Sequence, residues 1–135
     1  MHILTQYAFL FLLAATLLVS GCKDDVDPNV DVNNRLEGDW DVESFTVDGT
    51  EYMGSVVTSF EMEYEKQSDT EGEAQWTVIY SNGATERTEG DYEIQNSGQE
   101  IDFDNTDLEI EIDGDELTLE GILDGFRVEI EAERD

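Results

Sequence analysis

The chain is poorest in the residues that most chemistry needs. Of 135 residues, one is cysteine (Cys22), one is histidine (His2) and one is proline (Pro28); Lys and Arg together number six. With no His after residue 2 and no second thiol, Ser-His-Asp catalysis, Cys-His catalysis, His-ligated zinc and haem ligation are excluded. No disulfide can form within one chain, so stability must come from packing. Six cations against 35 Asp and Glu, a formal charge of −29, exclude nucleic-acid binding, which needs Lys and Arg at phosphates. The same charge argues against adsorption to anionic membrane surfaces. No Gly-rich phosphate loop is present, and Val47-Asp48-Gly49-Thr50 lacks the spacing of one. Thirty-five carboxylates could supply a glycosidase-like pair by number alone, but nothing singles out two of them, and no enzyme is expected.

What is present begins with residues 3–19, ILTQYAFLFLLAATLLV, an apolar stretch short of the roughly 20 residues that span a bilayer. Val19-Ser20-Gly21-Cys22 follows and resembles the lipobox of bacterial lipoproteins. Small residues there let a peptidase approach the backbone, and the thiol accepts the lipid. Residues 1–21 therefore read as a signal peptide, with Cys22 as the lipid-bearing first residue of a mature chain of 114 residues, enough for one domain. Several acyl chains, at roughly 0.8 kcal/mol per buried CH₂, make such an anchor stable. Residues 22–35 are rich in Asp and Asn without hydrophobic period, which predicts a flexible tether. Lys23-Asp24-Asp25 is similar to a surface-export signal of Bacteroidetes lipoproteins. These features predict an outer-membrane lipoprotein of the cell envelope, facing the surface or the periplasm.

From Leu36 to Asp135 the pattern has period two, the mark of half-buried strands. Trp40 and Val42 alternate with Asp39, Asp41 and Glu43; Phe60, Met62 and Tyr64 with Glu61, Glu63 and Glu65; Ala74, Trp76, Val78 and Tyr80 follow. Gly90, Tyr92 and Ile94 come next, then Ile101 and Phe103, Leu108 to Ile112, Leu117 to Leu123, and Phe126 to Ala132. Asp48-Gly49, Asn82-Gly83, Asp113-Gly114 and Asp124-Gly125 are tight-turn dipeptides. No segment holds a 3.6-residue period over ten residues. About eight short antiparallel strands, each with one apolar face, predict an all-β meander closing as an up-and-down barrel.

Leu36-Glu37-Gly38-Asp39-Trp40 with Val42, Asp48-Gly49, and later Gly90-Asp91-Tyr92-Glu93-Ile94 resemble the corresponding segments of lipocalin-like domains in Bacteroidetes lipoproteins. The resemblance implies a single lipocalin-like barrel over residues 36–133, behind a lipobox and a short tether, and says little about a ligand.

An eight-stranded barrel is just wide enough to be filled by side chains or to hold one small ligand. Trp76, Tyr80 and Tyr92 are the candidate lining of such a cavity. Two functions follow: a membrane-anchored, non-catalytic module binding a small apolar ligand, or a packed structural module of the envelope whose acidic surface recognises partner proteins or Ca²⁺. Carboxylates suit Ca²⁺. The densest cluster offers Asp102, Asp104 and Asp107, near Asn105, Asp113 and Asp115, but lacks EF-hand spacing, so a solvated face and turns are the simpler account. No cofactor besides the lipid on Cys22 is expected, and the chain reads as a monomer. Like charges on neighbouring strands, with so few cations, match the composition of proteins from salt-loving bacteria.

Overall fold

The computed structural model describes residues 27–135. The signal peptide, the lipobox and Cys22 lie outside them. The first element corrects the expected tether: Pro28–Leu36 is a helix, α1. Asp27 caps it, its carboxylate accepting from the Asn29 amide at 2.9 Å, and Pro28 occupies the first turn, where a missing N–H costs nothing. Arg35 in the last turn pairs with Asp31 one turn earlier at 3.2 Å. Nine residues, five of them polar, would not hold a helix alone in water. Val32, Asn33 and Leu36 are buried against the following strands, and that burial decides the conformation. Residues 28–35 therefore belong to the folded part, which the sequence placed from Leu36 onward.

Strands β1 (Gly38–Val47), β2 (Thr50–Glu51), β3 (Val57–Lys66), β4 (Glu71–Tyr80), β5 (Thr85–Gln95), β6 (Glu100–Phe103), β7 (Thr106–Asp113), β8 (Glu116–Leu123) and β9 (Phe126–Arg134) follow. Apart from the two-residue β2, which pairs only with β1, each strand lies antiparallel beside its neighbour, and β1 pairs with β9. The sheet is a closed eight-stranded up-and-down barrel, as the alternation predicts. Tight turns set the register. Asp48-Gly49, Asp104-Asn105 and Asp124-Gly125 all hold positive φ at both positions, the requirement of two-residue hairpins whose twist matches the strands. Asp and Asn reach that region at lower cost than other side chains.

Two β-bulges, between Val42 and Ser44 in β1 and between Val57 and Ser59 in β3, insert one residue each. They switch the inward set from Trp40 and Val42 to Phe45 and Val47, and from Phe60, Met62 and Tyr64 to Val57. Inward side chains of all eight long strands make one core, with Trp40, Tyr64, Tyr92, Met62, Ile94, Leu119 and Ile130 almost wholly buried.

Candidate ligand-binding end of the barrel

The two ends of the barrel differ. At one end α1 lies across the loops and ties them together. The Asn33 amide nitrogen donates to the carbonyls of Ser68 (2.9 Å) and Asp69 (3.1 Å) in the β3–β4 loop, and its oxygen accepts from the Tyr92 hydroxyl at 2.6 Å. Arg35 donates to the Ile112 carbonyl at the end of β7, and the Gly98 amide in the β5–β6 loop donates to Asn29. Gly98 is the one residue that fits there: a Cβ would stand 2.7 Å from Val32 and 2.8 Å from the Pro28 carbonyl. Trp40 donates to the Leu36 carbonyl at 2.8 Å, while the Arg134 guanidinium stacks 4.3 Å over its ring and donates to the Glu37 and Arg35 carbonyls. This end is plugged.

The interior above the plug is filled by aromatic rings. Trp76 donates to the Tyr64 hydroxyl at 3.1 Å, and Tyr64 and Tyr92 meet edge to face at 5.6 Å. Burial drives the Tyr64 hydroxyl well above the ordinary phenol range and the Tyr92 hydroxyl up to about 12. A chain of ring contacts then runs from Phe103 through Trp76 (4.9 Å), Phe60 (5.7 Å) and Phe45 (5.3 Å) to Tyr52 (5.8 Å) at the opposite end.

Among the described residues, no helix covers the opposite end. The loop after β2 bends back over it, bringing Tyr52 and Met53 against the core with Phe45, Val47, Val78, Tyr80 and Leu123, all half-buried. The loop is pinned by Glu51, whose carboxylate accepts from the Ser44 hydroxyl (2.5 Å) and the Phe45 (2.8 Å) and Met53 (3.3 Å) amides. These bonds, the Ser44 one foremost, hold its carboxyl below the usual range. Four large apolar side chains among the described residues are exposed: Val56 (41%), Ile79 (38%), Ile122 (56%) and Phe126 (51%). All four lie at this end: in the β2–β3 loop, at the ends of β4 and β8, and at the start of β9. By contrast, a cleft of about 810 Å³ beside α1 is walled largely by polar and charged side chains, among them Asp31, Arg35, Glu109, Glu111 and Glu120.

The candidate residues separate accordingly. Trp76 and Tyr92 are buried in the interior with their polar atoms committed to Tyr64 and Asn33. Tyr80 alone reaches the open end, where its hydroxyl donates to Glu86 at 2.8 Å; burial and that carboxylate raise its pKa. Asp102 and Asp107 are opposed on β6 and β7, and Asp104 is a turn residue. Among the described residues no three His, Cys, Asp or Glu side chains converge on a metal-sized site. Asn33 and the open-end residues Phe45, Val47, Tyr52 and Met53 were not readable as functional. The signals that bear on them are Asp27-Pro28 with Val32 and Leu36 four apart for the helix, and the two breaks in alternation at the bulges.

The designed fluorescence-activating β-barrel superposes with a TM-score of 0.57 at 18% identity, over 82% of this chain and 99% of its own. The siderocalin Ex-FABP, described as functioning through dual ligand specificities, gives 0.57 at 11% identity over 73% of each chain. The barrel is lipocalin-like. A redesigned barrel bound to DFHBI, mFAP1, gives 0.56 at 15% identity over 76% of this chain and 98% of its own. At these identities the likeness is one of fold. No protein-family model and no curated protein sequence matches the chain.

Proposed function

We propose that this lipocalin-like barrel is a non-catalytic binding module, held at a bacterial outer membrane by lipid on Cys22, that takes a small apolar ligand at its unplugged end. The observation that carries the reading is the gathering of Val56, Ile79, Ile122 and Phe126 at that one end of an otherwise carboxylate-covered molecule. The four ring that end rather than form one patch, Ile79 on β4 and Ile122 on β8 facing outward on opposite sides of the barrel, and exposed large apolar side chains confined to one end mark it as a candidate binding rim. The likeness to barrels described as ligand-bound or ligand-specific supports the same reading. Because aromatic rings fill the interior, the ligand sits at the rim against Phe45, Tyr52 and Tyr80 rather than deep in the barrel.

Four residues separate Cys22 from Asp27, roughly 18 Å of chain at full extension. A lipid there lies near the plugged end and leaves the apolar end turned away from the bilayer.

The test is titration with diphenylhexatriene, a neutral apolar dye whose fluorescence rises on leaving water. The mature chain, residues 22–135 with Cys22→Ser, is used so that neither lipid nor the apolar residues 3–19 takes up the dye or calls for detergent. Saturable binding, weakened at least about five-fold by Phe126→Glu, is expected from the loss of one half-buried aromatic contact. No saturable binding would overturn the reading and leave the packed interaction module, which the filled interior favours.

A further inference from the structure

The open end is apolar, but one charged side chain stands among its inward-facing residues. Glu86 is paired in register with Val78, so the two share the inner face of the wall, and Val78 packs on the core. The Glu86 carboxylate is exposed, accepts the Tyr80 hydroxyl at 2.8 Å, and is thereby aimed along the rim beside an aromatic ring. The cations of this end point elsewhere. Arg87 is the outward neighbour of Glu86 and is paired with Thr77, and Arg127 is paired with the exposed Ile122 and lies 4.0 Å from Glu120. The turns at this end add Asp48 and Asp124.

A ligand approaching this end meets aromatic and aliphatic side chains, one inward carboxylate with a free lone pair, and a negative field from the whole molecule. A carboxylate-headed ligand such as a fatty acid would be repelled by all of these charges. An ammonium would be drawn by them, could bond to Glu86, and could lie over the Tyr80 ring, where a cation is attracted by the π-face.

Resting on the ligand-binding reading above, we propose that the open end selects amphiphilic amines, an apolar or aromatic body carrying a cationic head, and that Glu86 is the residue that receives the head. Tyr80 positions the Glu86 carboxylate through its hydroxyl.

Three diphenylhexatriene dyes of one shape separate the possibilities: the neutral parent, its trimethylammonium derivative and its propionate derivative. Each is titrated into the Cys22→Ser mature chain at fixed ionic strength. The trimethylammonium dye should bind about three-fold or more tighter than the neutral one, as an exposed ion pair allows, and the propionate dye weakest. Glu86→Gln should shrink the cationic-to-neutral affinity ratio towards one. Glu111→Gln, on the outer face of β7 and nearer the plugged end, should leave that ratio unchanged. Equal binding of neutral and cationic dyes, or a Glu111→Gln effect as large as that of Glu86→Gln, would overturn the selectivity while leaving the binding module standing. Failure of all three dyes to bind would instead remove the ligand-binding reading itself.

Discussion

Asn33 is the only wholly buried polar side chain among the described residues, and it holds three segments at once. Its nitrogen satisfies two carbonyls of the β3–β4 loop, and its oxygen is the acceptor for a Tyr92 hydroxyl that has left water. Asn33→Ala strands those groups, which costs about 1–3 kcal/mol for a buried donor left unmade. Urea unfolding should show that loss, and a Tyr92→Phe background should reduce it, because the stranded hydroxyl is then gone; equal losses in both backgrounds would contradict the pairing. Cys22 calls for a separate check. Cys22→Ser should abolish incorporation of radiolabelled palmitate, and unchanged labelling would refute lipidation at this residue. Trp40 shows how far a single residue could be read. Its place in Leu-x-Gly-x-Trp announces the opening strand, but the Arg134 guanidinium that covers it comes from 94 positions later and has no local signature.

The first strand carries a like-charge problem at its bulge. Glu43, the inserted residue, shares a hydrogen bond with Glu133, and that bond, reinforced by the charge of Glu133, raises its pKa. Asp41 is raised as well, by desolvation and then by Asp135. Both groups bind protons more tightly in the fold than in the unfolded chain. Their contribution is therefore greatest below the ordinary carboxylate range, roughly 4–4.5, and is lost as pH rises through the raised folded values. Glu51, held low by Ser44, works the other way and gives up stability only as pH falls below that range. The melting temperature should rise on acidification from pH 7 towards the ordinary carboxylate range at about pH 4.5, and Glu43→Gln should melt higher than wild type at pH 7 with a smaller acid gain. A wild-type melting temperature that falls steadily over that interval would contradict these shifts. Strands such as this were legible because alternation is a local property: eight apolar-polar runs and their Gly and Asp turns identify the meander. The bulges were not, since inserting one residue changes which face looks inward without altering composition. Nor was α1, whose polar sequence becomes helical only because the barrel offers Val32 and Leu36 somewhere to go. The candidate site was read in part for the same reason. Tyr80 was named from its strand, but which aromatics fill the interior and which stand at the rim depends on which end the helix closes.

Across the whole molecule the outward faces meet acid to acid. Asp41 is opposed by both Glu61 and Glu133, Glu109 by Glu100 and Glu120, and Asp102 by Glu93 and Asp107. Directly opposed like charges destabilise a sheet, and unfolding spreads them apart. The melting temperature of the Cys22→Ser mature chain should therefore climb between dilute buffer and a few tenths molar NaCl, where the Debye length falls to about 10 Å and below. Ca²⁺ and Mg²⁺ at equal ionic strength should stabilise alike, in keeping with the scattered placement of Asp102, Asp104 and Asp107. A clear excess for Ca²⁺ would reveal specific binding to the native state, and a melting temperature indifferent to salt would show that the acidic rows are tolerated without screening. The pairing of β1 with β9 has a consequence in time as well as in space. The first strand cannot find its second neighbour until the last one exists, so ring closure joins segments about ninety residues apart and is the slow, entropically costly event of the folding reaction. A chain stopped short of Phe126 would expose two unsealed strand margins, on β1 and on β8, and would seek neighbours in other copies. Whatever machinery makes this protein must keep it from collapsing until residues 126–135 have been delivered.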